Sequence, residues 1–109
     1  MVPVREVGEE RTTVALRVGH LLRITGYLEL ATIGMWTGSP RTQAMIGMAE
    51  ASVRGEAPGG SDEDLLRRLR ALVAEARDYQ AGEDIPAAMA RLHVAQDLVD
   101  LRIVALSEG

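Results

Sequence analysis

The stretch IPAAMARLHVAQDLVDLRIVAL, residues 85–106, decides the fold class of this chain. It contains no Gly, and its single Pro stands at the second position, where the first turn of a helix tolerates it. About 22 residues of α-helix span roughly 33 Å, which is long enough to run the length of a small bundle. The stretch therefore predicts a long helix near the end of the chain.

The apolar residues of this helix fall on two arcs when successive residues are rotated by about 100°. The first arc contains Met89, Leu92, Val99, Ile103 and Leu106. The second arc contains Val94, Leu98, Leu101 and Ala105. The charged and polar residues between the arcs are Arg91 and Arg102 on one side, and His93, Asp97 and Asp100 on the other. We expect one arc to lie in the core of the bundle and the other to need a partner.

We predict that the second arc joins two copies of the chain in a homodimer. A small four-helix domain has too little chain to cover both arcs, and a twofold dimer is the commonest assembly that covers such a face. Arg91 and Arg102 are then expected at the rim of the interface, where they meet Asp97 or Asp100 of the second copy. A different protein is the alternative partner for the same arc.

The composition is that of a globular domain. A chain of 109 residues forms one domain with a core of modest size. With 47% hydrophobic and 26% charged residues, it has enough apolar side chains to fold. Since it has one Trp, two Tyr and no Phe, we expect a core of Leu, Ile, Val, Met and Ala.

Several classes of function are excluded or disfavoured by the same composition. The chain has no Cys and no Lys, which excludes disulfides, thiolate metal sites and Schiff-base chemistry. Arg-only basic residues are typical of a GC-rich bacterial genome. The net charge of −4 disfavours nucleic acid as a partner. The longest apolar run, residues 24–36, contains Glu29 and is too short to cross a bilayer. We expect a cytoplasmic protein with no cofactor and no membrane partner.

The remaining chain divides into a short lead-in and three further helices. We expect residues 1–8 to be flexible and residues 9–109 to form the domain, with the first helix starting near Glu9. The turn Thr37-Gly38-Ser39-Pro40 places Gly after one helix, and Ser and Pro at the start of the next. The loop at residues 55–60, GEAPGG, separates residues 9–54 from residues 61–107. The sequence therefore predicts an all-α four-helix bundle made of two antiparallel αα-hairpins.

The third and fourth helices carry recognisable start signals. Ser61 followed by Asp64 resembles a capping box, and the acids at positions 62–64 suit the positive end of a helix dipole. Asp84 is placed to cap the fourth helix. The third helix has one clean apolar stripe: Leu65, Leu66, Leu69, Leu72, Val73 and Ala76. The second helix is expected to face inward with Met45, Met48, Ala49 and Val53.

The first helix combines an apolar stripe with three glycines. The stripe recurs at spacings of four and three: Val14, Val18, Leu21, Thr25, Leu28, Thr32 and Met35. Gly19, Gly26 and Gly34 fall on another side, and each costs about 1 kcal/mol against Ala inside a helix. Two interpretations remain open. Another backbone comes close to the glycines, or the helix is kinked near Gly26.

The first candidate for chemistry is His20. The segment His20-Leu21-Leu22-Arg23 resembles the H-x-L-[K/R] core of histidine phosphotransfer domains, which are helical bundles of about this length. The resemblance implies that His20 accepts a phosphoryl group and that Arg23, one turn on, offsets its charge. The competing interpretation is an ordinary surface or interface histidine.

The fourth helix offers a weak metal-site candidate. His93 and Asp97 are one turn apart and Asp100 follows, and a histidine and a carboxylate at this spacing can form part of a metal site. Two or three ligands on one helix do not complete such a site. A solvated face or an ion pair within the helix is the competing interpretation, and we predict no bound metal.

Glu29 is the third candidate, because it lies among apolar residues of the first helix. A buried carboxylate needs a cationic partner or has a raised pKa. We expect Glu29 to be paired with an Arg of the same chain or of a second copy; the alternative is a small-ligand or catalytic pocket inside the bundle around Glu29. In total the sequence favours a non-enzymatic interaction or regulatory protein that self-associates through its last helix.

Overall fold

The structure is a computed structural model that describes residues 4–55 and 57–108, and the side chains of residues 12–55, 57, 58 and 60–108. Its helices are α1 (Val4–Thr37), α2 (Thr42–Arg54), α3 (Glu63–Ala81) and α4 (Ile85–Glu108). A short 3₁₀ turn, Pro58–Gly60, precedes α3. The described ranges contain no strand, so the predicted all-α class is confirmed.

The four helices form a bundle. α1 packs against α2 and α4, and α3 packs against the same two helices. The predicted four-helix bundle is therefore confirmed, whereas its division into two hairpins stays a prediction. α1 begins at Val4, before the expected start near Glu9, and whether residues 1–8 are flexible also stays a prediction. No helix in the described ranges is both long and apolar enough to cross a membrane.

The core has the composition that the sequence predicts. It consists of aliphatic side chains from all four helices and from Ala57 in the loop before α3: Leu21, Ile24, Leu28, Ala31, Met35, Ile46, Ala49, Val53, Ala57, Leu65, Leu66, Leu69, Val73, Ala76, Ala88, Leu92, Ala95 and Val99. The stripe of α3 lies inward as predicted, with Leu72 partly buried. On α2, Ala49 and Val53 are buried, but Met48 is exposed and Ile46 takes the inner position.

The inner stripe of α1 differs from the predicted one. Leu21, Leu28 and Met35 are buried as expected, but Val14 is exposed and Ile24 lies in the core. The predicted stripe repeats every seven residues, and such a repeat drifts by about 20° per heptad around a straight α-helix. Over the three heptads from Met35 back to Val14, this drift moves the stripe away from the core.

The glycines of α1 do not interrupt the helix, so α1 is not broken near Gly26, whereas a kink there stays an open interpretation. The alternative, a close backbone approach, holds for Gly34: a Cβ there would lie 2.9 Å from Met45 Sδ and 3.0 Å from Thr42 Oγ1, both on α2. A Cβ at Gly19 or Gly26 would meet nothing within 4 Å. Within the chain, only one of these three positions therefore has a packing reason for glycine.

The turns use most of the predicted residues. Gly38 has φ +66° and ends α1, a conformation that glycine adopts without strain. Ser39 Oγ accepts a hydrogen bond from the Arg41 N–H at 3.1 Å, although α2 starts only at Thr42. Asp84 Oδ1 accepts one from the Ala87 N–H at 3.3 Å, as predicted for a cap. α3 starts at Glu63, after the expected Ser61.

Candidate interaction surface

The structure places the two arcs of α4 on different sides of the helix. In the first arc, Leu92 and Val99 are buried, and the other members pack partly buried against the core. In the second arc, Val94, Leu101 and Ala105 are exposed, and Leu98 is partly buried. The single chain thus covers the first arc and leaves most of the second in solvent.

The uncovered side of α4 is strongly apolar at its C-terminal end. Leu101 is 67% exposed and Val104, three residues later, is 51% exposed. Val94 is exposed two turns earlier. Val104 was not among the predicted interface residues, although its spacing from Leu101 puts it on the adjacent strip of the helix surface.

Arg91 and Arg102, which are predicted to meet acids of a second copy at the rim, already have acidic partners within the chain. Arg91 Nε donates to Glu75 Oε2 at 2.9 Å, and its guanidinium lies 5.4 Å from the centre of the Tyr79 ring. Arg102 Nη1 donates to Asp62 Oδ1 at 2.7 Å. Arg91 thus binds an acid of α3, and Arg102 binds the residue that precedes α3.

Asp62 is the centre of an ion-pair cluster that the sequence did not reveal. Its side chain is fully buried, and Arg17 of α1 binds it through Nη2 at 2.8 Å and Nε at 3.1 Å. Arg102 of α4 binds the same carboxylate. The hydrogen bond from Arg17, followed by that from Arg102, holds the pKa of Asp62 below its usual value. The cluster fixes α1 and α4 at the start of α3.

A second, largely buried carboxylate, that of Glu50, joins α2 to α3. Glu50 Oε2 accepts hydrogen bonds from Arg77 Nη1 at 2.9 Å and from Arg54 Nη2 at 3.2 Å. Both arginines are largely exposed, so this cluster lies at the surface end of the helix contact. In both clusters, the arginines therefore have ion-pair partners within the chain.

Glu29 is exposed in the single chain, so the expectation of a carboxylate buried within the chain is wrong, whereas its pairing with an Arg of a second copy stays a prediction. Its Oε1 accepts a hydrogen bond from Gln96 Nε2 of α4 at 3.0 Å. The reason is that α1 turns this strip toward solvent beside α4, while its core stripe lies on the opposite side. Glu29 does not line the cavity between the end of α1 and the start of α4 that is described next.

A cavity of about 500 Å³ lies between the end of α1 and the start of α4. Its lining is apolar apart from one imidazole: Met35, Trp36, Ile85, Pro86, Met89, Ala90 and His93. Trp36 is 78% exposed at its edge. The cavity shows that α1 and α4 are neighbours at this end of the bundle, as Glu29 and Gln96 show nearer the middle.

The acidic side of α4 forms a cluster with Glu29. His93, Asp97 and Asp100 are all exposed. Burial raises the pKa of Asp100, and the negative charges of Asp97 and Glu29 raise it further. In residues 4–55 and 57–108, no group of three or more His, Cys, Asp or Glu side chains has the arrangement needed to hold a metal ion.

His20 and Arg23 differ in their exposure to solvent. His20 is half-buried, and its Nδ1 is buried without a hydrogen-bond partner in the described chain. Arg23 is exposed. The two residues share α1, but the structure gives no contact between their side chains.

The exposed apolar side chains of α1 are the feature that sequence reasoning missed. Leu22, Leu30, Ile33 and Trp36 are all exposed. The available signal was the group of glycines beside them, together with Leu22 and Trp36 at the edge of the predicted stripe.

No protein-family model matches the sequence, and comparisons with curated proteins and with solved structures gave no match.

Proposed function

We propose that this protein is a non-catalytic helical interaction protein that acts by binding a second copy of itself through the uncovered side of α4. The observation that supports this proposal is the exposure of Leu101 and Val104, with Val94 on the same side of the helix. Exposed apolar groups of this kind, gathered on one helix of a folded domain, are typical of protein–protein interfaces.

The driving force of this contact is hydrophobic. Full burial of a Leu or Val side chain is worth about 1.5–3 kcal/mol relative to leaving it in water. Arg91 and Arg102 already have acidic partners in the chain, so they add no unpaired charge to the apolar side of α4. The contact therefore depends mainly on Leu101 and its exposed apolar neighbours.

The test is the oligomeric state of a double variant. The wild-type protein should sediment at micromolar concentration with about twice the chain mass of 11.8 kDa. Val94→Glu combined with Leu101→Glu should weaken the dimer by about 30-fold, because two carboxylates would lose their hydration in the interface. Leu98 is left unchanged, since it packs against the core. Sedimentation equilibrium measures the change.

Gly47→Glu is the matched control, because Gly47 is exposed on α2, which packs against α1 and α3. It adds one carboxylate to the surface and should leave the dissociation constant unchanged. A monomeric wild-type protein, or a double variant that dimerises as tightly as the wild type, would contradict the proposal.

The phosphotransfer alternative rests on the His20 resemblance. It requires that one imidazole nitrogen of His20 reach solvent and that the protein take up an acid-labile phosphoryl group from acetyl phosphate. We expect no such labelling. Labelling that disappears in His20→Gln and weakens in Arg23→Gln would favour phosphotransfer over simple self-association.

A further inference from the structure

The outer edge of α1 continues the uncovered apolar surface of α4. Leu22 is 53% exposed and Ile33 57% exposed, and Trp36 stands one turn beyond. The eleven-residue spacing of Leu22 and Ile33 puts them on one side of the helix, about 16 Å apart along its axis. The core residues of α1 lie on the opposite side. We call this surface, Leu22, Ile33 and Trp36 with Leu101 and Val104, the α1–α4 face.

Two glycines lie along the same edge of α1. Gly19 and Gly26 are seven residues apart, which places them on one side of the helix. Along the helix axis, Gly19 lies before Leu22 and Gly26 after it. The helix is continuous through both, and each costs about 1 kcal/mol relative to Ala. Gly34 is explained by its close contact with α2, but a Cβ at Gly19 or Gly26 would meet nothing within 4 Å. Packing within the chain therefore gives no reason for glycine at either position.

The two halves of the face are held together by direct contacts. Gln96 of α4 donates to Glu29 of α1 at 3.0 Å, and the cavity at the helix ends is lined from both helices. A partner that covers Leu101 and Val104 therefore reaches the edge of α1 without a change in the bundle.

The face carries charged residues as well as apolar ones: Glu29 is seven residues after Leu22 and Asp97 seven before Val104, so each shares the side of that apolar residue. Glu29, Asp97 and Asp100 form the acidic side, and none of them makes an ion pair within the described residues. Arg23 is exposed on the other side of the α1 edge and is likewise without an ion pair in the described part. A twofold axis parallel to α1 exchanges the two sides, so each copy brings Arg23 toward the acids of the other.

We propose that a second copy of this chain covers the α1–α4 face, with the two α1 helices side by side and Gly26 of one copy closest to Gly26 of the other. The inference rests on the proposed self-association and adds the surface on which it is centred. Glycine is needed there because a side chain would push the two helix backbones apart.

Cysteine cross-linking tests the placement directly, because the chain has no Cys of its own. Under mild oxidation Gly26→Cys should form a covalent dimer, since a disulfide needs Cα atoms within about 7 Å. Gly47→Cys is the matched control: Gly47 is exposed in the middle of α2, and a Cβ there also meets nothing within 4 Å. It should stay monomeric on a non-reducing gel at the same concentration.

Affinity provides the second measurement. Gly26→Leu should weaken the dimer by about tenfold or more, while Gly47→Leu should leave the dissociation constant within about twofold. Both variants should remain folded by circular dichroism, since the single chain has room for either side chain. A cross-link at position 26 together with this loss of affinity would support the proposal.

The outcomes separate this inference from the proposed function. If the wild type dimerises and the α4 double variant breaks it, but position 26 neither cross-links nor affects affinity, the α1 contact is overturned and the α4 contact stands. If position 26 cross-links and the α4 variant has no effect, the α1 contact stands alone. A monomeric wild type overturns both.

Discussion

Replacing Asp62 with Ala is expected to lower the free energy of unfolding by about 3 kcal/mol. The change leaves the guanidinium groups of Arg17 and Arg102 without their shared carboxylate at 2.7–2.8 Å. Their side chains are 18% and 29% exposed, so some contact with water limits the loss. Urea denaturation at pH 7 measures the effect, with both proteins at one concentration because dimerisation adds to apparent stability.

Asp64→Ala is the matched control for Asp62→Ala. Asp64 is 75% exposed and approaches Arg102 only at 3.6 Å. Exposed ion pairs of this kind contribute about 0–1 kcal/mol. Equal losses in the two variants would show that the buried cluster has no special role in holding α1 and α4 to the start of α3.

The acid sensitivity of the same cluster follows from the lowered pKa of Asp62. A carboxyl group whose pKa is lower in the folded state stabilises the fold fully above its unfolded value, near 3.8. That stabilisation is lost as the pH falls below this value and through the lower pKa of the folded state. Asp62→Asn removes the titrating group, so its stability should change less than that of the wild type over this acidic window.

The clusters mark the limit of prediction from this sequence. The stripe of α3 and the inner arc of α4 repeat within each helix, so local periodicity was enough to identify them. Asp62, by contrast, is 45 residues from Arg17 and 40 from Arg102. No local pattern shows which acid faces which guanidinium across a bundle, and for that reason Arg102 was assigned to an interface.

The candidate surface was predictable only in part for a related reason. The two arcs of α4 identify an uncovered helix side from spacing alone, and Leu101 was placed on it. On α1 the predicted seven-residue stripe does not include Ile33 and Leu30, which are apolar and exposed. The sequence places three glycines on α1, but only the structure separates Gly34, which contacts α2, from Gly19 and Gly26, which face open space.

The close contact of Gly34 with α2 predicts a second large change in stability. Gly34→Leu is expected to destabilise the fold by about 2–3 kcal/mol, because a side chain there would overfill the contact between α1 and α2. Even its Cβ would lie 2.9 Å from Met45 Sδ and 3.5 Å from the Thr42 Cα. Met45 is flexible and can move, but the backbone of Thr42 cannot move without shifting α2. Thermal or urea unfolding measures the loss.

Gly47→Leu and a double variant make the Gly34 experiment specific. Gly47 has open space around its Cβ, so Gly47→Leu should stabilise α2 by up to about 1 kcal/mol through helix propensity. Gly34→Leu combined with Met45→Ala should recover part of the loss, because it removes the nearest side chain. If Gly34→Leu instead gained stability as Gly47→Leu does, α1 and α2 would be farther apart than the structure places them, and glycine at position 34 would need the same external explanation as Gly19 and Gly26.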